Sequence, residues 1–132
     1  MANEAVCIET PTKFARYKVT DGLNIPMGTL LKLSGADLFA EASSAQDLFA
    51  GIAWEEKTAS DGLTEITAAI DGVWDLTAGL QTITQGGICS LSGANLIKQA
   101  LEAEMVTGAF VGKVLEGASA SEVVRVRVGS MI

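Results

Sequence analysis

The plainest pattern in the chain lies near its end, where Val124, Val126 and Val128 alternate with Arg125 and Arg127. A period of two over five or six residues predicts a strand with one apolar and one polar face. Ile66, Ala68 and Ile70 alternate in the same way with Glu65, Thr67 and Ala69. Shorter signals precede them. Thr29-Leu-Leu-Lys-Leu33 and Leu38-Phe-Ala-Glu-Ala42 read as two strands of a hairpin around Ser34-Gly-Ala-Asp37, and Leu48 to Trp54 reads as a further strand. Near the start, Val6 and Ile8 alternate with Cys7 and Glu9 until Pro11 interrupts. Asn95 to Met105 carries two readings. Leu96, Ile97, Ala100 and Leu101 share one face of a helix with Asn95 as its cap, whereas the matching segment of the first half contains Ser43-Ser44. Strands through Ala100 are expected, followed by a longer loop, helical in part, from Leu101 to Thr107. Short strands and Gly-rich turns every eight to twelve residues predict an all-β sandwich or small barrel.

The pattern is stated twice. Leu33-Ser-Gly-Ala-Asp-Leu38 returns as Leu91-Ser-Gly-Ala-Asn-Leu96, 58 positions on. Tyr17 to Leu23 lies over Trp74 to Leu80; Ile25 and Gly28 fall on Ile83 and Gly86, and Ala42 on Ala100. After three extra residues in the second copy, Phe49-Ala-Gly-Ile-Ala-Trp-Glu55 meets Phe110-Val-Gly-Lys-Val-Leu-Glu116, and Ala59-Ser60 meets Ala120-Ser121. Collinear matches on both sides of a hexamer predict two tandem copies of a β unit of about 55 residues, 17–70 and 74–128. The chain then divides into an extended N-terminal arm, 1–16, and a β domain, 17–132. The repeated Ser-Gly-Ala-Asx is expected to be turn chemistry, with Gly supplying φ freedom and Asx bonding its own backbone. Gly51 recurs as Gly112, which predicts a bulge or a close backbone approach.

Composition narrows the function classes. With 132 residues, 48 % hydrophobic and 19 % charged, the chain has more apolar surface than one small core needs, so self-association is expected. No apolar run approaches the ~20 residues of a membrane span. Met1-Ala-Asn-Glu-Ala5 has neither a basic start nor an apolar core, so no secretory signal is expected. A formal charge of −7 argues against nucleic acid. Lys13, Arg16 and Lys18 outweigh Glu4 and Glu9 locally, which fits either a solvated tail or an arm that meets an acidic partner. The two cysteines make no disulfide framework; Cys89 sits in an apolar run and Cys7 in the arm.

The search for catalytic chemistry returns little. There is no His, which removes the Ser-His-acid triad, the Cys-His dyad and most zinc sites. Gly86-Gly87 lacks the Lys-Ser/Thr ending of a phosphate loop. Glu55 with Glu102 or Glu104 could form an acid/base pair, but a solvated face explains these carboxylates more simply. Neither enzymatic activity nor a cofactor or metal is expected. Trp54 and Trp74 are read as core or interface anchors, with ring stacking on a sugar or apolar metabolite in a small ligand-binding barrel as the alternative.

In the order and spacing of its motifs the chain resembles the head-decoration, or cement, proteins of tailed bacteriophages. The resemblance rests on Ile25-Pro-Met-Gly-Thr-Leu-Leu-Lys-Leu33, Phe49-Ala-Gly-Ile-Ala53 and the closing Val124 to Val128 strand, and covers most of Tyr17 to Val128. It implies an all-β protein made in the host cytoplasm and carried on the outer surface of the virion. Such a protein is commonly a homotrimer that clamps neighbouring major capsid protein subunits against internal pressure. On that resemblance Val6, Ile8, Lys13, Phe14 and Arg16, with the loop 101–108, are expected to meet the capsid. Trp54, Trp74, Met105 and Phe110 are expected between subunits. The visible second copy and its longer loop are departures from the family pattern.

Overall fold

A computed structural model describes residues 3–35, 38–44 and 47–132. Among these the strands are β1 (Val6–Glu9), β2 (Phe14–Lys18), β3 (Leu30–Leu33), β4 (Ala40–Ala42), β5 (Phe49–Ala53) and β6 (Glu65–Ala69), then β7 (Val73–Ala78), β8 (Ile88–Gly93), β9 (Leu96–Gln99), β10 (Gly112–Glu116) and β11 (Val123–Val128). One short helix, α1 (Glu102–Val106), follows β9. The protein is all-β, two packed sheets. One has the order β2-β6-β5-β3-β4 and the other β1-β7-β11-β10-β8-β9.

Apart from β1, the two orders are the same once β2 is laid on β7, β3 on β8, and so on to β6 on β11. The register of β3 on β5 agrees with that of β8 on β10, whereas β4 and β9 are set one residue apart, Leu31 pairing with Ala42 and Cys89 with Gln99. Leu31 pairs with Gly51 as Cys89 pairs with Gly112, and Leu30 with Ile52 as Ile88 with Lys113. Outside the strands, Ile25 and Lys57 exchange two backbone hydrogen bonds, and so do Ile83 and Ala118. Gly28 donates to Ala53 as Gly86 donates to Val114, at 2.9 and 2.8 Å. Each sheet also turns back on itself: β7 pairs in parallel with β9, and Lys18 bridges Phe39 in parallel. Strands of three to six residues cannot cover a core while flat. Curling brings both ends of each sheet over its inner face.

The alternation near the C-terminus works as its pattern predicts. Val124, Val126 and Val128 are buried with Trp74, Leu76, Leu91 and Ile97, and the same cluster takes in Leu30, Ile52 and Ala69 from the first sheet. Each such fully buried aliphatic side chain stabilises by roughly 2 kcal/mol. Arg125 points the other way, forming two hydrogen bonds with Asp75 at 2.9 and 3.2 Å. A second, smaller core inside the first sheet holds Val19, Ile25, Leu31, Ala50, Ile66 and Ala68. Cys89 is buried, and burial pushes its thiol up to about 12.

The N-terminal segment is extended, yet it does not project. β1 lies antiparallel on β7, and β2 antiparallel on β6, so residues 6–18 cross from the edge of one sheet to the edge of the other. The crossing is held at Asp71, whose carboxylate accepts from Thr12 N–H, Thr12 Oγ1 and Lys13 N–H at 2.8, 2.6 and 3.0 Å. The ambiguous stretch resolves into strand then helix. β9 ends at Gln99, and Glu104 reaches back to accept Leu101 N–H at 2.8 Å, capping the first turn of α1. The first Ser-Gly-Ala-Asx turn includes residues 36 and 37, which lie outside the described residues. In the second, Asn95 reaches across to the first sheet. Its Oδ1 accepts Leu30 N–H at 2.8 Å, while its N–H donates to Ser43 Oγ, which donates to Gly93 O. This turn is therefore the joint between the two halves.

Two features set the cost of change. At Gly112 an added Cβ would sit 2.1 Å from the carbonyl oxygen of Arg127 on β11, which is the close backbone approach expected there. At Gly86 (φ 85°) the space is open and only the left-handed backbone resists a side chain. Urea melts should show Gly112→Ala losing about 3 kcal/mol and Gly86→Ala about 1 kcal/mol. The second feature is Lys57, buried, whose ammonium meets Asp21 and Asp61 carboxylates at 2.9 Å each and the Asp21 carbonyl at 2.8 Å. Lys57, with the N–H groups of Leu63 and Thr58, holds the Asp61 carboxyl down at about 2, against 3.8 unperturbed. A depressed carboxyl stabilises the fold above its unfolded value and loses that contribution as pH falls from 3.8 toward 2. Lys57→Met should lower Tm by about 10 °C at neutral pH and flatten the acid limb of the stability curve.

Candidate functional site

The residues singled out from the sequence do not form a catalytic constellation. Glu55 is occupied by the Thr67 N–H at 2.6 Å and Arg16 at 3.0 Å, and hydrogen bonds from Thr67, then Arg16, hold its carboxyl below the usual range. Glu104 is buried under α1. Burial alone would raise it, but the Leu101 N–H, Lys98 and Ser90 outweigh that and keep it below the ordinary value. Glu102 is exposed on the same short helix. The two carboxylates that an acid/base pair would need are thus each committed to separate neighbours. Among the described residues no group of three or more Cys, Asp or Glu could hold a metal ion.

What the fold does bring together is a row of rings across the seam of the two sheets. Phe14 on β2 lies 5.6 Å from Trp54, measured between ring centroids, and Trp54 lies 6.0 Å from Trp74 in an edge-on arrangement at 85°. Aromatic pairs favour such geometries over face-to-face stacking. The row grades from surface to core: Phe14 is exposed, Trp54 is 37 % exposed and Trp74 only 3 %. Trp74 donates its indole N–H to Asp71 O at 3.0 Å, so its polar end is satisfied inside the fold. Trp74 is therefore a core residue, and any surface role falls to Trp54 and Phe14.

Beside the row lies a groove of about 210 Å³ lined by Ala5, Cys7, Met27, Gly28, Trp54 and Trp74. One wall is β1, whose four residues are all exposed and whose start is tied to the first sheet by Ala5 N–H donating to Gly28 O at 2.8 Å. Cys7 pairs with Trp74 and shares its face, while Val6 pairs with Asp75 on the outer face. Val6 and Ile8 are exposed apolar side chains at this edge. Arg16 pairs with Glu55 and Glu65 at 3.0 and 3.3 Å, which leaves little of its charge for a partner. Lys13 is exposed in the crossing between β1 and β2. Met105 on α1 and Phe110 before β10 are half-buried. They belong to the second half, and the aromatic row does not include them. Met27 and Cys7 were not singled out from the sequence. The one signal for Met27 is the turn Ile25-Pro-Met-Gly28, which places the residue before a left-handed Gly at a turn tip.

Each tryptophan can be read separately. Trp74→Phe leaves Trp54 as the single fluorophore, and acrylamide should quench it several-fold more steeply than the Trp74 that remains in Trp54→Phe. Equal quenching would mean that the row does not grade from surface to core.

No protein-family model matches this chain, and no curated protein sequence is similar to it.

Proposed function

We propose that the protein is a structural decoration protein that binds the outer surface of a tailed-phage head and clamps neighbouring major capsid subunits. The observation that carries this reading is the group of exposed apolar side chains at the seam, Phe14, Trp54 and Met27, with Val6 and Ile8 exposed on the neighbouring edge strand β1. Exposed aromatic rings grouped at a strand edge are expensive to leave in water and characteristic of surfaces covered by protein. A clamp needs apolar contact and a rigid frame, and it needs no titrating group. Multiple weak contacts suffice when several copies act together. The motifs Ile25 to Leu33, Phe49 to Ala53 and Val124 to Val128 add the resemblance to cement proteins. The same reading takes the halves as two copies of one unit, which the shared strand order and hydrogen bonds support.

The alternative, a ligand-binding barrel for a sugar or apolar metabolite, draws on the groove beside Trp54. Its volume of about 210 Å³ falls below the roughly 300–1,000 Å³ of small-molecule pockets and suits a single inserted side chain. Size favours the protein partner.

Co-sedimentation with expanded tailed-phage heads stripped of their own decoration tests the reading. The chain should pellet with heads of at least one type, and Phe14→Ser with Trp54→Ser should weaken binding by about 100-fold. Failure to bind any head of a broad panel, or binding indifferent to both substitutions, would overturn it. An emission shift of Trp54 on adding sugars or fatty acids would move the balance to the ligand barrel.

A further inference from the structure

β7 and β2 hold the same place in the two strand orders, but their outer edges are used differently. On β7 that edge is filled. β1 lies antiparallel there, with Val6 opposite Asp75 and Glu9 opposite Val73, and β9 follows in parallel at Thr77 and Ala78. The ladders carry the comparison across to β2. Ile52, Ala69 and Phe14 lie in one cross-strand row, as Lys113, Arg127 and Val73 do. Phe14 and Arg16 therefore stand where Val73 and Asp75 stand. The parallel contact is also present, made by Lys18 with Phe39. What β1 supplies to β7 has no counterpart: among the described residues no strand pairs with the outer edge of β2 over Phe14 to Arg16.

Alternation decides which backbone groups face that edge. Ile70 N–H donates to Lys13 O and Val19 N–H to Thr64 O, so the odd-numbered residues of β2 bond to β6. Lys18 N–H points the other way, to Leu38 O. Phe14 and Arg16 thus aim their N–H and C=O groups at the open side, the template that an edge strand presents. The side chains there state what fits. Phe14 and Trp54 form an exposed apolar shelf. Arg16 is matched by Glu55 and Glu65, whereas the exposed Lys18 ammonium, 5.9 Å from the Phe39 ring, forms no ion pair among the described residues. A second copy of β2 is a poor occupant, since antiparallel pairing centred on Arg16 sets that residue against itself, and like charges directly opposite are destabilising. β1 of a second copy is already seated on its own β7.

We propose that the open edge of β2 takes an extended segment of another protein as an added antiparallel strand over Phe14 to Arg16, in the way that β1 is added to β7. Backbone hydrogen bonds to Phe14 and Arg16 hold the segment, and its side chains select it. In the antiparallel register one apolar side chain lies beside Phe14 and Trp54, and a carboxylate four residues before it reaches Lys18. The partner is an exposed strand-forming loop or terminus that reads acidic first and apolar after. Nothing in this site requires that partner to be a phage head.

The probe is the acetylated, amidated hexapeptide of residues 4–9 carrying Cys7→Ser, which in a regular ladder sets Glu4 against Lys18, Val6 against Arg16 and Ile8 against Phe14. It is titrated into the full, isotopically labelled chain and followed by amide NMR. In the free chain the Phe14 and Arg16 amides should exchange with solvent quickly, and those of Ala15 and Tyr17 slowly. The peptide should shift and protect Phe14 and Arg16 with a Kd on the order of 1 mM. Arg16→Pro removes only an outward N–H, which an edge strand tolerates, and should weaken binding at least about 10-fold, whereas Arg16→Thr should leave it intact. Lys18→Glu should weaken it about 5-fold. A peptide methylated on its Val6 nitrogen should fail to bind, and this arm decides the matter should Arg16→Pro disturb folding. Protected Phe14 and Arg16 amides in the free chain, no response of these amides to the peptide, undiminished binding of the methylated peptide, or shifts confined to Val73 and Asp75 on β7 would each overturn the proposal.

Discussion

The close crossing of strands at Gly51 and Gly112 is the constraint around which each sheet is built. At both positions a side chain would run into the neighbouring strand: a Cβ added at Gly51 would lie 2.8 Å from the Ala69 carbonyl oxygen, and one at Gly112 2.1 Å from that of Arg127. Without that approach β5 could not pass from β3 to β6 at its pairing distance, nor β10 from β8 to β11. The sharp curl it allows lets strands of three to six residues enclose Leu31 and Ile66 in one half and Leu91 and Val126 in the other. Everything at the surface is placed by this curl, including the edge at which β1 and Trp54 meet.

The parts of the fold legible in the sequence were those where the periodicity had a single interpretation. Val124 to Val128 alternates without interruption and is a strand with its valines inside. The paired occurrences of Gly51 and Gly112 marked a backbone contact correctly because only glycine tolerates one. Residues 95–105 were harder, since a strand of four residues followed by a five-residue helix has no room to express either period. The arm was misleading for a related reason. Alternation in Val6 to Glu9 says that the segment is extended, and it cannot say which edge receives it. That choice depends on Asp71, 59 residues from Thr12, accepting three hydrogen bonds at the crossing. The grading of the aromatic row was equally hidden, because burial of Trp74 and exposure of Trp54 follow from which sheet each strand end joins.

Where the two strand orders match, the connecting loops are filled in different ways. In the first, the loop before β6 is built on a buried Lys57 between Asp21 and Asp61. In the second, the backbone bonds put Ala118, Gly79 and Glu122 at those places, so the buried charge is gone. The backbone is unchanged: Ser60 donates to Asp21 O as Ser121 donates to Gly79 O, and Asp61 accepts Thr58 N–H as Glu122 accepts Ser119 N–H. An ion pair desolvated in this way contributes little net stability over an apolar replacement. Both loops thus have a carboxylate acceptor that closes the turn, and only the first has a lysine behind it.

The same comparison explains why the apolar excess of the chain is uneven. The second half spends its surplus on the first: Leu91 and Ile97 join the cluster that contains Leu30, Ile52 and Ala69. The cluster inside the first sheet is filled by smaller side chains, Ala40, Ala50, Ala53 and Ala68 around Ile25, Leu31 and Ile66, and Leu33, Leu38, Phe39 and Leu48 stay exposed outside it.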